Sequence, residues 1–289
     1  MSKGAVVITG ASTGIGNACA RMLDDAGFRV FAGVRKQEDA DRIYAQGSDR
    51  LTPLICDITD ADSLARAAEE VAAEMGEAGL AGLVNNAGIA VTGPWEFIPL
   101  EKVRRQLEVN VVGQIAATQA FMPLIRKAKG RVVHIGSIGG RISNPMGGPY
   151  TASKFAMEAV ADSMRLELAP FGIRVVLIEP GAVKTEIWRK ASDITAELES
   201  DLPEHGLRLY RVFIDKAMAH IPEQNRIGAS AEAVGRAVLH ALTASRPKSR
   251  YLVGKDAQAG AIVARFMPDP VKDWITRQII KLPKTLPDG

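Results

Sequence analysis

Seven short apolar runs punctuate the chain, at residues 5–9, 29–34, 51–56, 80–85, 131–137, 173–179 and 251–254. Several are continuous Val, Ile and Leu stretches rather than strict alternations, the pattern of strands covered on both faces. Between the first two, Ile15, Ala18, Cys19, Met22, Leu23 and Ala26 recur at spacings of three and four, ending at Gly27. That is an amphipathic helix with a glycine stop. Repetition of strand, helix and strand predicts right-handed crossovers and an α/β fold built on one doubly wound parallel sheet.

The regular alternation lapses between about 185 and 227 and resumes with a helix near 230–244. No repeat and no linker rich in Pro, Gly or Ser splits the chain, so a single domain over 1–289 is expected. Its parts are a core at 3–185, a helical excursion over one end of the sheet at 186–227, the last helix and strand at 228–256, and a tail at 257–289. In the tail, Val271, Trp274, Ile275, Ile279 and Leu282 form an apolar stripe on a short helix. One reading packs that helix over the protein or a partner subunit; the other rests it on a membrane surface. Five basic and three acidic residues from Arg265 onward are too small an excess to hold an anionic surface by charge, which favours packing.

Charge narrows the function. Lys and Arg number 36 and Asp and Glu 33, a net charge of +3 with no basic stripe, which argues against nucleic acid as the main partner. Cys19 and Cys56 show no CxxC spacing, and His134, His205, His220 and His240 are scattered, so no metal site is expected. The N-terminus lacks the features of a signal peptide, and no stretch reaches the 18 apolar residues of a span. A cytoplasmic protein without membrane association is the expectation.

The first strand runs directly into Thr9-Gly10-Ala11-Ser12-Thr13-Gly14-Ile15-Gly16 and then the helix. Gly10 permits a tight turn, while Gly14 and Gly16 allow close approach of backbone and ligand. The helix N-terminus presents unpaired N–H groups to a pyrophosphate, which makes this a dinucleotide site. The second strand ends at Val34 and is followed by Arg35 and Lys36, with no carboxylate to accept from a ribose 2′-hydroxyl. Arg35 can grip a 2′-phosphate instead, so NADP(H) is favoured and NAD(H) remains open. A merely solvated turn is the alternative role for these two cations.

Further motifs follow in order: Asp57 after the third strand, Asn85-Asn86-Ala87-Gly88, Asn110, Ser137, Tyr150 with Lys154, and Pro180-Gly181 through Thr185. Together with the glycine pattern they resemble the short-chain dehydrogenase/reductase family, in particular its retinol and steroid dehydrogenase-like members, over about 3–254. The resemblance implies a Rossmann-type fold with the 186–227 excursion on the substrate side. It also implies a catalytic set of Asn110, Ser137, Tyr150 and Lys154. The cofactor would be held by Gly10, Ser12, Thr13, Gly14, Ile15, Gly16, Arg35, Asp57, Ile58, Asn85, Ala87, Gly88, Tyr150, Lys154, Pro180, Gly181, Val183 and Thr185. In the family, Asp57 would accept from the adenine amino group; a helix N-cap at Asp57 or Asp60 competes with that job. Asn110 would mark a kink whose freed carbonyl holds a water leading to Lys154, against the plainer reading of a satisfied core amide.

The residues themselves support this chemistry. Tyr150 and Lys154 are four apart in a segment of helical period and so share a face. A neighbouring ammonium and an oxidised nicotinamide both favour the phenolate, fitting Tyr150 to exchange a proton with a substrate oxygen. Ser137 ends a strand, where open parallel sheets place their ligands, and can orient that oxygen. Met146, Ile187 and Trp188 near the expected mouth suit a small apolar alcohol or carbonyl. The runner-up activities are a 3-oxoacyl-carrier-protein ketoreductase and a non-catalytic dinucleotide sensor; an epimerase or dehydratase of the longer branch lacks room for its C-terminal domain. Apolar positions beyond one sheet-facing stripe (Ile115, Ala116, Phe121, Phe155, Val160 and Met164) predict a homodimer, with a tetramer as the alternative.

Overall fold

The computed structural model describes residues 3–184 and 191–282. Seven strands form one sheet in the order β3-β2-β1-β4-β5-β6-β9, every neighbouring pair parallel. They are β1 (Ala5–Ile8), β2 (Arg29–Val34), β3 (Leu51–Ile55), β4 (Gly82–Asn85), β5 (Arg131–Ile135), β6 (Arg174–Pro180) and β9 (Arg250–Val253). Each falls in an apolar run seen in the sequence. The doubly wound α/β sheet is therefore present.

Alternate side chains of each strand feed opposite layers, which is why the runs are apolar throughout. Val6 and Ile8 of β1, with Val30, Ala32, Val84, Val133 and Val176, meet α1 (Gly14–Asp25), α2 (Gln37–Gln46) and α9 (Ala231–Thr243). Ala5 and Val7, with Phe31, Leu83, Val132 and Val175, meet α3 (Ala61–Met75), α5 (Gly113–Ala128) and α6 (Gly148–Leu168). The expected glycine stop of α1 is real: Gly27 has φ +89°, a conformation that L side chains resist. Asp60 caps α3 by accepting from the N–H groups of Asp62 and Ser63, so it takes the N-cap role that Asp57 was also weighed for.

The segment after β4 leads to α4 (Leu100–Leu107), a π-helical turn at Glu108–Val112, and α5. Beyond the short β7 (Val183–Lys184), which pairs with β8 (Ala229–Ser230), the excursion contains α7 (Ala191–Asp201) and α8 (Glu204–Ile227). Leu198, Leu202 and Ile214 bury against Met146, with Phe97, Tyr210 and Phe213 around them. Lys102 of α4 ties this layer down through Glu197 and Asp201, each at 2.5 Å. Strand order reverses at β1, with β2 on one side and β4 on the other, so a crevice opens at the C-terminal strand ends there.

One surface expectation needs correcting. Phe121 is wholly buried under the sheet and offers nothing to a partner, because its helix turns that position inward; Phe155 is exposed, and Ile115, Ala116, Val160 and Met164 are half-buried. In the tail, α10 (Lys255–Phe266) leads to α11 (Asp269–Ile280), which touches α8. Val271, Ile275 and Leu282 are half-buried, while Trp274 is 61% exposed and Ile279 56%, so the fold covers one side of the apolar stripe and leaves the other open. Among the described residues, no helix is long and apolar enough to cross a membrane.

Phe121 fills the layer between the sheet and α5. Phe121→Ala is expected to destabilise the protein by about 3–5 kcal/mol, through lost transfer energy and the cavity left behind. Urea unfolding monitored by circular dichroism measures it, and a loss below about 1 kcal/mol would mean the site collapses freely.

Candidate active site

The end of β1 sets the first wall of the crevice. Thr9 is buried, and its hydroxyl accepts from the N–H groups of Asn86 (3.0 Å) and Ala87 (3.1 Å), locking the segment after β4 onto β1. Asn86 returns the contact, donating to Thr9 O (3.0 Å) and Gly10 O (2.8 Å). At Gly10, φ is +66° and a Cβ would sit 2.7 Å from Ala87 Cα; a Cβ at Gly16 would overlap Gly10 O. The loop therefore exists in this shape only with glycines there. Thr13 is the N-cap of α1 and makes no side-chain cap bond, so the N–H groups of the first turn, from Gly14 to Gly16, lack a capping side chain there. That is a cradle for a pyrophosphate, and the residues fit a dinucleotide.

Arg35 lies exposed just past β2, and Lys36 beside it. Asp57 Oδ1 accepts from the Thr59 N–H (2.9 Å) and hydroxyl (2.8 Å). Burial works against its charge, but the Thr59 bonds and the nearby Arg35 and Arg105 hold the carboxyl below its usual range. Ile58 is buried against Gly113, and Arg42 of α2 donates to Ser12 O at 2.8 Å. Asn85 is wholly interior, its amide donating to Thr118 Oγ1 at 2.8 Å. Gly88 lies against Asn110, whose Oδ1 a Cβ would meet at 3.2 Å.

Asn110 stands inside the π turn, so a sequence that breaks helix preference marks a real irregularity. Its amide is fully engaged, as the plainer reading of a satisfied core amide expects. Oδ1 accepts from Ile89 N–H (2.9 Å), while Nδ2 donates to Ile89 O (3.0 Å) and Ser153 Oγ (3.1 Å). Gln106 repeats the pattern on Val91 N–H (2.6 Å) and Ile89 O (2.9 Å). Ser153 in turn donates to Tyr150 O at 2.6 Å. A buried polar seam thus links the loop after β4, the π turn and the start of α6.

Ser137 follows β5 by two residues, and its Oγ accepts from Gly139 N–H at 3.0 Å. Tyr150 and Ser137 lie together around Gly139, Ser137 Oγ and the Tyr150 ring both within about 3.4 Å of where its Cβ would be. Lys154 is 6% exposed, and its Nζ donates to Ile135 O at 2.8 Å while lying 5.6 Å from the Tyr150 ring centroid. Burial lowers Lys154 to about 8. Burial likewise raises Tyr150, and the bond from Ser137 only partly offsets it. Burial, then the charge of Lys154, hold His134 down at about 4, so it is a neutral ring beneath the site. In the protein alone, desolvation outweighs the phenolate stabilisation expected from Lys154.

The last wall comes from the segment after β6. Gly181 N–H donates to Val253 O (2.9 Å) and Ala182 N–H to Asp256 Oδ2 (2.6 Å); a Cβ at Gly181 would overlap that carboxylate. Pro180 ends β6, and Val183 is buried in β7. Thr185, Ile187 and Trp188 lie outside the described residues. Met146 is buried under α7 and α8 with φ +66°, a strained conformation for a side chain of its size, and its carbonyl accepts from Gly93 N–H at 2.8 Å. Two contributors escaped the sequence reading, Asp256 and Trp95, and Asn86, read there only as part of its motif, holds the glycine loop. Trp95 is 59% exposed, and its indole fits only because residue 148, beside Tyr150, is glycine. Its one sequence signal was an isolated aromatic in a loop rich in small residues. Among the described residues, no group of three or more His, Cys, Asp or Glu could hold a metal ion.

The geometry and the comparisons agree. The family model for short chain dehydrogenase matches residues 4–195, and the chain belongs to that family. It is 39% identical over 275 residues to 17-beta-hydroxysteroid dehydrogenase type 6 of Bos taurus, covering 93% of this chain and 86% of that protein. It is 38% identical over 281 residues to the NADPH-dependent 3-dehydrocapnine reductase of Ornithobacterium rhinotracheale, covering 95% and 96%. A short chain dehydrogenase from Burkholderia cenocepacia in complex with NADP superposes with a TM-score of 0.72 at 25% identity, covering 98% and 99%. The chain is an oxidoreductase of alcohols and carbonyls that groups with the retinol and steroid dehydrogenases.

The depressed Lys154 carries a stability consequence. Between its folded value of about 8 and its unfolded value near 10.5, the native state binds fewer protons, so stability rises with pH across that window. Relative to Lys154→Met, the wild type is expected to gain about 3 kcal/mol over that rise. Paired denaturant titrations check this, and parallel curves would contradict a buried ammonium.

Proposed function

We propose that this protein is an NADP(H)-dependent oxidoreductase that interconverts a lipophilic alcohol, secondary or primary, and its carbonyl, with Tyr150 as acid and base. The observation that carries the reading is the convergence of Ser137, Tyr150 and Lys154 on one point beside the glycine cradle. A nicotinamide dinucleotide bound there supplies or accepts the hydride. Gly10, Ser12, Thr13, Gly14, Ile15 and Gly16 would hold its pyrophosphate, Asp57 and Ile58 its adenine. Ala87 and Gly88, with Pro180, Gly181, Val183 and Thr185, would line the remainder, while Asn85, wholly interior, would support that wall from behind rather than line it.

The protein's own part is proton handling and orientation. Ser137 donates to the substrate oxygen and aims it at the Tyr150 hydroxyl. In reduction Tyr150 releases its proton to that oxygen, and in oxidation it takes the proton of the alcohol. Lys154 stabilises the phenolate left behind, assisted by the positive charge of the oxidised cofactor. Replacement of the proton runs past Lys154 through a water held at the irregular turn of Asn110.

Arg35, with no carboxylate at the end of β2, supports the phosphorylated cofactor, as do the NADPH of the 3-dehydrocapnine reductase and the NADP of the bacterial neighbour. An apolar substrate is supported by Trp95, Met146 and the aromatic layer of Phe97, Tyr210 and Phe213 over the same end of the sheet. A homodimer through α4, α5 and α6 is supported by the exposed Leu107, Val112, Phe155 and Leu166. The buried, unpaired thiols of Cys19 and Cys56, pushed up to about 12 by burial, suit a reducing cytoplasmic setting.

Tyr150→Phe is expected to abolish turnover while leaving cofactor affinity nearly intact, read by a cofactor-oxidation screen over aliphatic, steroid and retinoid carbonyls alongside NADPH titration. Wild-type turnover in that variant would overturn the mechanism. Arg35→Ala is expected to weaken NADPH by about 1.5–3 kcal/mol and leave NADH almost unchanged. Calorimetry decides: equal losses for both cofactors would remove Arg35 from the 2′-phosphate.

A further inference from the structure

The chemistry-bearing face of α6 continues past Lys154. Glu158 lies one turn on and Asp162 another, both on the side that meets β6 and β9. Glu158 Oε2 accepts from Arg250 Nε (3.0 Å) and Nη2 (2.9 Å), and Arg250 Nη2 also donates to Asp162 Oδ2 (2.8 Å). Asp162 Oδ1 takes Arg165 Nη2 at 2.9 Å. Opposite them, Glu179 is wholly buried and held at both oxygens by Arg141, through Nε (2.5 Å) and Nη2 (2.7 Å).

One atom in this cluster is unaccounted for. Glu158 Oε1 is buried with no donor to accept from, and the group it faces is the Glu179 carboxyl. Two carboxylates in contact out of water resist ionising together, and a proton on one gives the orphaned oxygen a hydrogen bond to the other. Burial, then contact with Glu179, lift Glu158 to about 7 against the pull of Arg250. The charged groups facing the pair are Arg141 from the turn after β5, Arg250 from β9, and Lys154, Asp162 and Arg165 from α6.

The cluster's position is what gives it a role. Arg141 closes the turn that begins at Ser137, its N–H donating to Ile138 O at 2.9 Å. Glu158 follows Lys154, and Glu179 directly precedes Pro180-Gly181. Gly140 lies at the junction, where a Cβ would be 2.9 Å from Lys154 O and 3.2 Å from Glu158 Oε1. On its far side the 180–183 segment is held by Asp256 at Ala182 N–H. All three site-bearing segments therefore meet at this pair, and neither carboxyl belongs to the substrate or cofactor contacts.

We propose that the Glu158–Glu179 pair, joined by one shared proton and clamped between Arg141 and Arg250, is the positioning device that sets the 180–183 segment against α6, and that losing this proton as the pH rises loosens the cofactor site. The inference rests on the dinucleotide reading above. Below the transition the pair is a hydrogen bond; above it, two buried carboxylates repel across the joint between α6 and β6.

The test uses the whole protein, NADPH and NADH in parallel, and Glu158→Gln, whose amide keeps a donor toward Glu179 and an acceptor toward Arg250 at every pH. Nicotinamide fluorescence gives the dissociation constants, and thermal unfolding of the free protein is followed over the same range. Between about pH 6 and about pH 7.5, below the range in which Lys154 gives up its proton, the wild type is expected to lose about threefold in affinity and to fall in Tm relative to Glu158→Gln. A Glu158→Gln affinity that falls as in the wild type overturns the proposal. So does a flattened Tm profile with an unflattened affinity profile, which leaves the pair purely structural. If Glu158→Gln does not fold, a wild-type affinity that is constant with pH overturns it equally. Absence of binding by either cofactor at any pH overturns the dinucleotide reading itself, and with it this inference.

Discussion

A nearly buried ammonium organises this molecule. Lys154 is withdrawn from water with one backbone carbonyl, Ile135 O, as its hydrogen-bond partner in the protein. Burying a cation is expensive, so the surroundings must specify its place closely. That one bond pins α6 to the end of β5 and places Tyr150, one turn earlier, beside Ser137 at the C-terminal edge of the sheet. The active site is thus an outcome of where a charge can be tolerated.

The rest of the crevice is held by polar contacts of the same kind. Thr9 and Asn86 lock the glycine loop to the segment after β4; Asn110 and Gln106 hold that segment to the π turn, and Ser153 joins the turn to α6. Each is buried or part-buried and most of its polar atoms are engaged, a state in which such networks specify one arrangement. The irregular turn at Asn110 interrupts the α-helical ladder beside the start of α6, where Asn110 reaches Ser153.

Much of this was legible beforehand for definite physical reasons. The five inner strands, covered on both faces, must be continuously apolar and so stood out, and the part-exposed edge strands β3 and β9 still carry short apolar runs. Glycines whose Cβ atoms would overlap a neighbouring backbone, such as Gly10 and Gly16, leave a mark no other residue can replace. Asn110 among valines broke a local rule and sits at a real irregularity. What stayed hidden depends on tertiary contact. Asn86, visible only as part of a motif, works by reaching two carbonyls just past β1, and Asp256 by closing a loop 74 residues away. Trp95 matters because Gly148 leaves space beside it. Phe121 and the tail stripe show the same limit from the other side: apolar spacing says a face exists, not which surface meets it.

The central claim is that the Tyr150 proton is controlled by Lys154 and by the charge of the cofactor together, since burial alone holds the phenol above its ordinary value. Ultraviolet difference titration of the tyrosinate band, wild type against Tyr150→Phe, isolates this one phenol. With NADP+ bound, its ionisation is expected to move to lower pH by at least about one unit relative to the free protein. A tyrosinate signal appearing at the same pH with and without the oxidised cofactor would contradict the account.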